Sequence, residues 1–220
     1  MKQEYINLLI ENYIKKKQYD DETKALLEDI SETYQDNYDF LFEIYKSFFK
    51  DIDYLEDEEG LVFRNNDQEA ELELNGRSIS MTTEELKDII IDLLDLLEDT
   101  LPLGSVVDIR KDLFSDRKEI QELDHIRMII TYRFMGDNEK YFFPYAGVVY
   151  PTGMLGSDNI YFFTRAMVDK IISKGYSDED EEQFVYVAKN ELVIEGDMNS
   201  VGYAPEEEAK RITEEIRGGR

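Results

Sequence analysis

The strongest constraint on this chain is its excess of negative charge. Its 220 residues include 51 aspartates and glutamates against 25 lysines and arginines, which gives a formal net charge of −26. A nucleic-acid-binding protein needs a basic surface to neutralise phosphates, so the charge excludes that class. The same charge attracts basic proteins and repels anionic membranes. Solubility alone is an equally open explanation for it.

The composition nevertheless supports a folded core. Hydrophobic residues make up 42% of the chain, with 15 tyrosines and 12 phenylalanines among them. Disorder requires low hydrophobicity together with high charge, and only the second is present. No stretch approaches the roughly 18 apolar residues that span a membrane, and polar residues interrupt the N-terminal segment where a signal peptide would be continuously apolar. These features predict a cytoplasmic protein without membrane insertion.

The residue types that many catalytic and metal sites need are scarce. The chain has no Cys, and His125 is its single histidine. This excludes a disulfide framework, a thiolate zinc site, a Cys nucleophile and a multi-histidine metal site. No phosphate-binding loop, GxSxG motif or EF-hand loop is present either. We therefore predict a protein that is not an enzyme, with no catalytic residue, cofactor or metal. A pair of catalytic carboxylates stays an alternative because acids are abundant.

A change in composition divides the chain near its middle. Most of the negative charge lies in the first hundred residues, and Pro102 and Gly104 follow that region directly. Proline and glycine commonly mark the end of a helix or a linker. We predict an acidic, mainly helical region at 1–100, a small α+β domain at 101–204 and a C-terminal helical tail at 205–220.

Helical periodicity dominates the first region. Apolar residues recur at helical spacing over 3–17, and then over a longer stretch from 21 to 52. Seven aromatic residues in the second stretch are too many for one narrow helix face. We interpret them as core, with an exposed binding groove as the alternative. They are Tyr34, Tyr38, Phe40, Phe42, Tyr45, Phe48 and Phe49.

A hairpin and a third long helix follow. Apolar and acidic residues alternate over 70–74, and Asn75-Gly76 favours a tight turn before a returning strand at 78–81. Residues 61–63 form a candidate third strand. Thr82 and Glu85 then have the spacing of a capping box, which predicts a helix start. One face of this helix is apolar and the opposite face is acidic; the acids are Glu84, Asp88, Asp92, Asp95 and Glu98.

We interpret that acidic face as solvated and keep the docking of a basic partner as the alternative. Under this alternative, the partner-binding residues are Glu84, Asp88, Asp92 and Asp95, together with the aromatic residues Tyr38 and Tyr45. His125 is interpreted as a surface or structural residue.

The second half of the chain predicts a small antiparallel sheet with flanking helices. Pro144 is expected to end a strand or to lie at an edge, since proline cannot donate to a ladder. Thr164 is expected to begin a helix that ends at Lys174, with Gly175 as its stop. Acids after Ser177 suit the first turn of a further helix. The predicted strands are 105–109, 126–134, 139–143, 148–150 and 160–163.

Several short pieces of this half resemble one known family. They are, in order, Leu101-Pro102-Leu103-Gly104-Ser105-Val106-Val107, Phe143–Tyr145, Gly147, Tyr150-Pro151-Thr152-Gly153, Tyr161-Phe162-Phe163 and Gly175-Tyr176 followed by acids. Over about residues 101–190 the chain resembles the bacterial domain-of-unknown-function family DUF4176. The resemblance implies a small α+β domain from Gram-positive bacteria, encoded near type VII secretion loci for LXG-type toxins. It implies no catalytic residue.

These observations together predict an α+β protein whose function is to bind another protein. We expect a non-enzymatic accessory factor, a chaperone or targeting adaptor, for a type VII-secreted LXG-type toxin that is basic or helical where it is bound. The alternative is an immunity protein that neutralises a cognate toxin by binding its toxic domain.

Overall fold

The computed structural model describes residues 2–50, 52–66, 68–114, 122–136, 140–154 and 160–204. The architecture is α+β, as predicted, and the chain forms two compact units. The first unit combines residues 1–99 with 185–197, and the second begins at Thr100, runs to Phe184 and resumes at Met198. The return of 185–197 to the first unit is not part of the division expected from the sequence. The expected tail at 205–220 lies outside the described residues.

Four helices form the N-terminal part of the first unit. They are α1 (Gln3–Lys17), α2 (Asp21–Tyr34), α3 (Asp39–Ser47) and α4 (Thr83–Leu97). The bounds predicted for α1 are confirmed. The prediction of one helix over 21–52 is wrong, because the chain breaks between Tyr34 and Asp39. At this break the side-chain oxygen of Asn37 accepts a hydrogen bond from the Asp39 amide at 3.0 Å, which turns the chain into a new helix.

A four-stranded antiparallel sheet follows α3. Its strands lie in chain order: β1 (Tyr54–Glu56), β2 (Val62–Asn66), β3 (Glu69–Leu74) and β4 (Arg77–Thr82). The predicted hairpin is confirmed, with φ of 54° at Asn75 and 76° at Gly76, the two positive values that a type I′ turn requires. Inward-facing residues of β3 are buried and the alternate glutamates are not.

The start of α4 is also confirmed. The Thr82 side chain accepts a hydrogen bond from the Glu85 amide, and the Glu85 carboxylate accepts one from the Thr82 amide. Unlike a surface helix, α4 is buried continuously from Ile89 to Glu98. A helix that is covered all round has neighbours on both its apolar and its polar face.

Helix α5 (Glu179–Lys189) continues into a π-helical turn at Asn190–Glu195. Acids fill its first turn, as predicted, and the Asp178 carboxylate accepts a hydrogen bond from the Glu181 amide at 3.1 Å. This capping explains the acidic run without a metal. From Val185 onward, these residues belong to the first unit.

The second unit is built on a six-stranded sheet. Its strands are β5 (Val106–Ile109), β6 (Ile126–Gly136), β7 (Tyr141–Val149), β8 (Tyr161–Phe163), β9 (Val168–Ser173) and β10 (Asn199–Ser200). The main order is β10-β7-β6-β5-β9, with β8 paired to β7. Tyr145 is fully buried in the core of this unit, and its hydroxyl accepts a hydrogen bond from the Leu101 amide at 3.1 Å.

Pro144 does not end a strand, so the first of the two positions expected for it is wrong, whereas the second, an edge position, agrees with the strand pairing. It lies buried inside β7, which joins the predicted strands 139–143 and 148–150 into one. Along one edge of β7, β10 pairs with residues 141–142 and β8 pairs with residues 145–147, so Pro144 falls between the two partner strands. Along the other edge, β7 pairs with β6, and the paired positions skip Pro144. The missing N–H therefore falls where no ladder needs it.

The predicted helix at 164–174 is also wrong. A 3₁₀ turn at Arg165–Met167 leads into β9, an edge strand that pairs with β5 across two register shifts. Gly175 is thus not a helix stop. A Cβ atom there would overlap the carbonyl oxygen of Leu103, so glycine is required by the close approach of two backbone segments.

Candidate partner-binding site

The structure separates the six predicted partner-binding residues into different environments. Glu84 and Asp88 are exposed, whereas Asp92 and Asp95 are only 6% and 5% exposed. Tyr38 and Tyr45 are half-buried at the start and in the last half of α3. The expected solvated acidic face is therefore wrong for Asp92, Asp95 and, equally, Glu98. The reason is that α1 and residues 185–197 contact α4 and bring amino groups to these acids.

Helix α1 supplies the first of these groups. The Lys17 ammonium lies 3.4 Å from an Asp92 carboxylate oxygen and 2.7 Å from one of Asp197. The ring of Tyr13 lies beneath it, with the nitrogen 5.7 Å from the ring centre. Burial, and then the Asp92 charge, raise the pKa of Tyr13 far above its ordinary value, so its phenol stays protonated as a hydrogen-bonding group.

Asp88 stands at the exposed margin of this cluster. Burial raises its pKa above the ordinary value, and the carboxylates of Asp92 and Glu84 add to the effect. Like charges one helical turn apart repel each other, and the Lys87 and Lys17 ammonium groups offset this only in part. A further positive charge next to Asp88 would therefore reduce the repulsion between these carboxylates.

Lys189 supplies the second amino group and is almost completely buried. Its ammonium donates hydrogen bonds to the carbonyl oxygens of Leu96 at 3.0 Å and Glu98 at 2.6 Å, at the C-terminal end of α4. A cation there complements the negative end of the helix dipole. Burial lowers the pKa of Lys189 to about 8, against the opposing effect of the Glu98, Asp95 and Asp99 charges.

The role of Lys189 was not predicted from the sequence. A sequence signal for this role was present, since Lys189 lies four residues after Val185 and so shares the buried face of α5.

We call residues 185–197 the strap. Besides Lys189, it is attached to α1 by a hydrogen bond of 2.9 Å from Asn12 to Asn190, an ion pair of 3.1 Å between Lys16 and Glu195, and the stacking of Tyr5 on Tyr186.

A second feature of the first unit is an aromatic patch, formed by Phe42, Tyr45 and Phe49. The Tyr45 ring centre lies 5.9 Å from that of Phe42 and 5.2 Å from that of Phe49, and Phe49 is 63% exposed. The Lys46 ammonium lies 5.0 Å from the Phe42 ring centre, and Lys87 lies 5.7 Å from that of Phe49.

The prediction that the aromatic cluster is core thus holds only in part. Tyr34 is buried and Phe48 packs edge-on against Phe63, but Phe49 is exposed. Two predicted partner-binding residues do meet at the patch. Tyr45 contacts Phe49, and Glu84 pairs at 3.0 Å with the Lys87 ammonium that lies over the same ring.

The remaining candidates carry no such arrangement. His125 is exposed in the second unit. Within the described ranges, no three histidine, aspartate or glutamate side chains are grouped so as to hold a metal ion. No helix in the part of the chain that the structure covers combines the length and the apolar character that crossing a bilayer requires.

Comparison with known proteins agrees with the resemblance noted in the sequence. Residues 100–184 match DUF4176, a domain of unknown function. No curated protein and no solved structure matches the chain. The matched range coincides with the continuous part of the second unit, from Thr100 to Phe184. Residues 100–184, less than half of the 220-residue chain, are therefore assigned to the DUF4176 family.

Proposed function

We propose that this protein is a non-enzymatic accessory factor that binds a type VII-secreted LXG-type toxin in the cytoplasm, as a chaperone or targeting adaptor. The observation that carries the proposal is the aromatic patch on a strongly acidic unit, in which Phe49 is exposed and Phe42 and Tyr45 are half-buried beside it. Contiguous exposed apolar surface in a folded protein commonly marks a site of protein interaction. The association with the toxin comes from the family resemblance.

The patch has the properties of an interface centre. Large aromatic rings provide most of the binding energy in many protein interfaces, and charged groups around them form the rim. Here Lys46 and Lys87 lie over the rings, and each is paired with a glutamate, Glu43 or Glu84. An amphipathic helix of the toxin would place apolar side chains on the rings at i, i+3 and i+4 spacing.

The net charge supports the same kind of partner. A charge of −26 accelerates the encounter with a basic protein and disfavours an acidic one. The patch would then provide the short-range apolar contact, while the surrounding acids select a client with basic residues beside its apolar helix face.

The test is co-expression with separate parts of the toxin. We expect the protein to co-purify with the N-terminal LXG region, and Phe49→Ser to weaken the complex at least tenfold, because it removes the most exposed ring of the patch. Tyr176→Ser is the matched control, since Tyr176 is 81% exposed but lies in the second unit.

The outcome of this test separates the two roles. Binding of the toxic domain alone, with rescue of intoxicated cells, would replace the chaperone proposal with the immunity alternative. Failure to bind either part would contradict both.

A further inference from the structure

The strap packs in the first unit although it is far from residues 1–99 in the sequence. The polypeptide leaves this unit after Asp99 and returns at Val185, and the DUF4176 domain occupies the interval. Val185, Val193 and Ile194 are the buried apolar residues of the strap, which contacts both α1 and α4. It lies beside Asp95 and Glu98 of the acidic face of α4, the face for which partner docking was the alternative to a solvated surface.

The strap is attached by side chains. The hydrogen bonds and ion pairs described above come from Lys189, Asn190, Glu195 and Asp197, and the strap takes part in neither β-sheet. The ion pairs are largely exposed to solvent, where water and salt weaken them. A segment without a main-chain ladder to its neighbours opens at lower cost than the strands of a sheet.

The backbone of the strap is also unfavourable in itself. Its second half is a π-helical turn, and Asp197 at its end has a φ of 52°, in the left-handed region that a residue with a Cβ rarely adopts. Such conformations are kept only where their surroundings hold them.

We propose that the strap is displaceable, and that its release uncovers Asp95, Glu98 and the C-terminal end of α4 as a docking site for a lysine-bearing helical segment of the partner. The strap itself defines this occupant, because it places one lysine of a helix among Asp95, Glu98 and the end of α4. The identity of the occupant rests on the proposed function; the displacement of the strap does not.

Hydrogen exchange on the full chain tests the displacement. We expect the amides of residues 190–195 to exchange about 100-fold faster than those of β3 in the same unit, through a local opening. Lys189→Met should accelerate strap exchange a further tenfold and leave β3 unchanged. Val187→Ala is the control, since Val187 lies in the strap but is 42% exposed. Equal protection of the strap and β3, or loosening of the whole unit by Lys189→Met, would overturn the proposal.

A synthetic peptide with the sequence of residues 185–197 tests the docking site. Labelled peptide should bind the full chain by replacing the strap, and a peptide with Met in place of Lys189 should bind at least tenfold more weakly. Absence of peptide binding to a chain whose strap exchanges rapidly would overturn the docking step. Peptide binding without toxin binding would leave this inference standing and reject the proposed function.

Discussion

Among single residues, Lys189 has the clearest consequence for stability. Its pKa is about 8 in the folded chain, below the ordinary value of 10.5. Between these values the unfolded chain holds a proton that the folded chain has released, so the free energy of unfolding rises with pH. We expect a rise on the order of 2 kcal/mol from pH 7.5 to 9.5.

Denaturant titrations over this range provide the measurement, and Lys189→Met should lack the rise. The range stops at 9.5 because the pKa values of Tyr13, Tyr19 and Tyr34 are raised. Above pH 10 their phenols ionise first in the unfolded chain, which lowers the free energy of unfolding. An identical rise in the Lys189→Met variant would show that other groups cause it.

Gly175 gives a second prediction for a single residue. Gly175→Ala should destabilise the DUF4176 domain by about 2–4 kcal/mol, because the added Cβ overlaps the backbone of Leu103 and neither segment moves freely. Gly202→Ala is the control, since its Cβ would meet only the Thr164 side chain at 3.3–3.4 Å. The measurement is thermal or urea unfolding, and similar losses in the two variants would contradict this explanation.

For whole helices and strands, the start of α4 can be tested in isolation. Thr82→Ala removes the side chain that caps the helix and should lower the free energy of unfolding by about 1 kcal/mol. Thr33→Ala, at an exposed position in α2, should change it by only a few tenths of a kcal/mol. Urea unfolding of both variants is the measurement. A Thr82→Ala chain as stable as the original would show that tertiary contacts alone hold the start of α4.

The elements predicted correctly depend on neighbouring residues. The Asn75-Gly76 turn, the Thr82 capping box and the period of α1 each arise within a few positions of the chain, so the sequence contains their whole cause. The break after Tyr34 is also local. Asn37, two residues before the new helix, is the sequence signal for this break. Apolar residues nevertheless continue at helical spacing across it, and this periodicity led to the prediction of one long helix.

The elements predicted wrongly depend on distant residues. β9 follows from pairing with β5, about sixty residues away in the chain, and β7 accepts Pro144 because two other strands divide its edge. At the candidate site, Asp95 and Glu98 are buried near Lys189, which follows the DUF4176 domain in the sequence. Helical periodicity shows that one face is acidic but not what covers it.

Across the whole molecule, the charge of −26 connects the sequence to the proposed function. Part of it is neutralised internally, where Lys17 and Lys189 lie among the acids of α4. The electrostatic attraction of the remaining charge acts over a longer range than the apolar packing of the aromatic patch, which requires direct contact with the partner. Under the proposed function, the charge therefore accelerates the encounter with the partner, and the aromatic patch slows its dissociation.

The rate at which the protein associates with the LXG region of the toxin proposed as its partner, measured as a function of salt, tests this proposal most directly. From about 0.05 to 0.5 M salt the Debye length falls from roughly 14 to 4 Å, which screens long-range attraction. We predict that the association rate constant falls at least tenfold over this range, while Phe49→Ser raises the dissociation rate at every salt concentration. An association rate that does not change with salt would contradict the central claim that this acidic protein works by capturing a basic one.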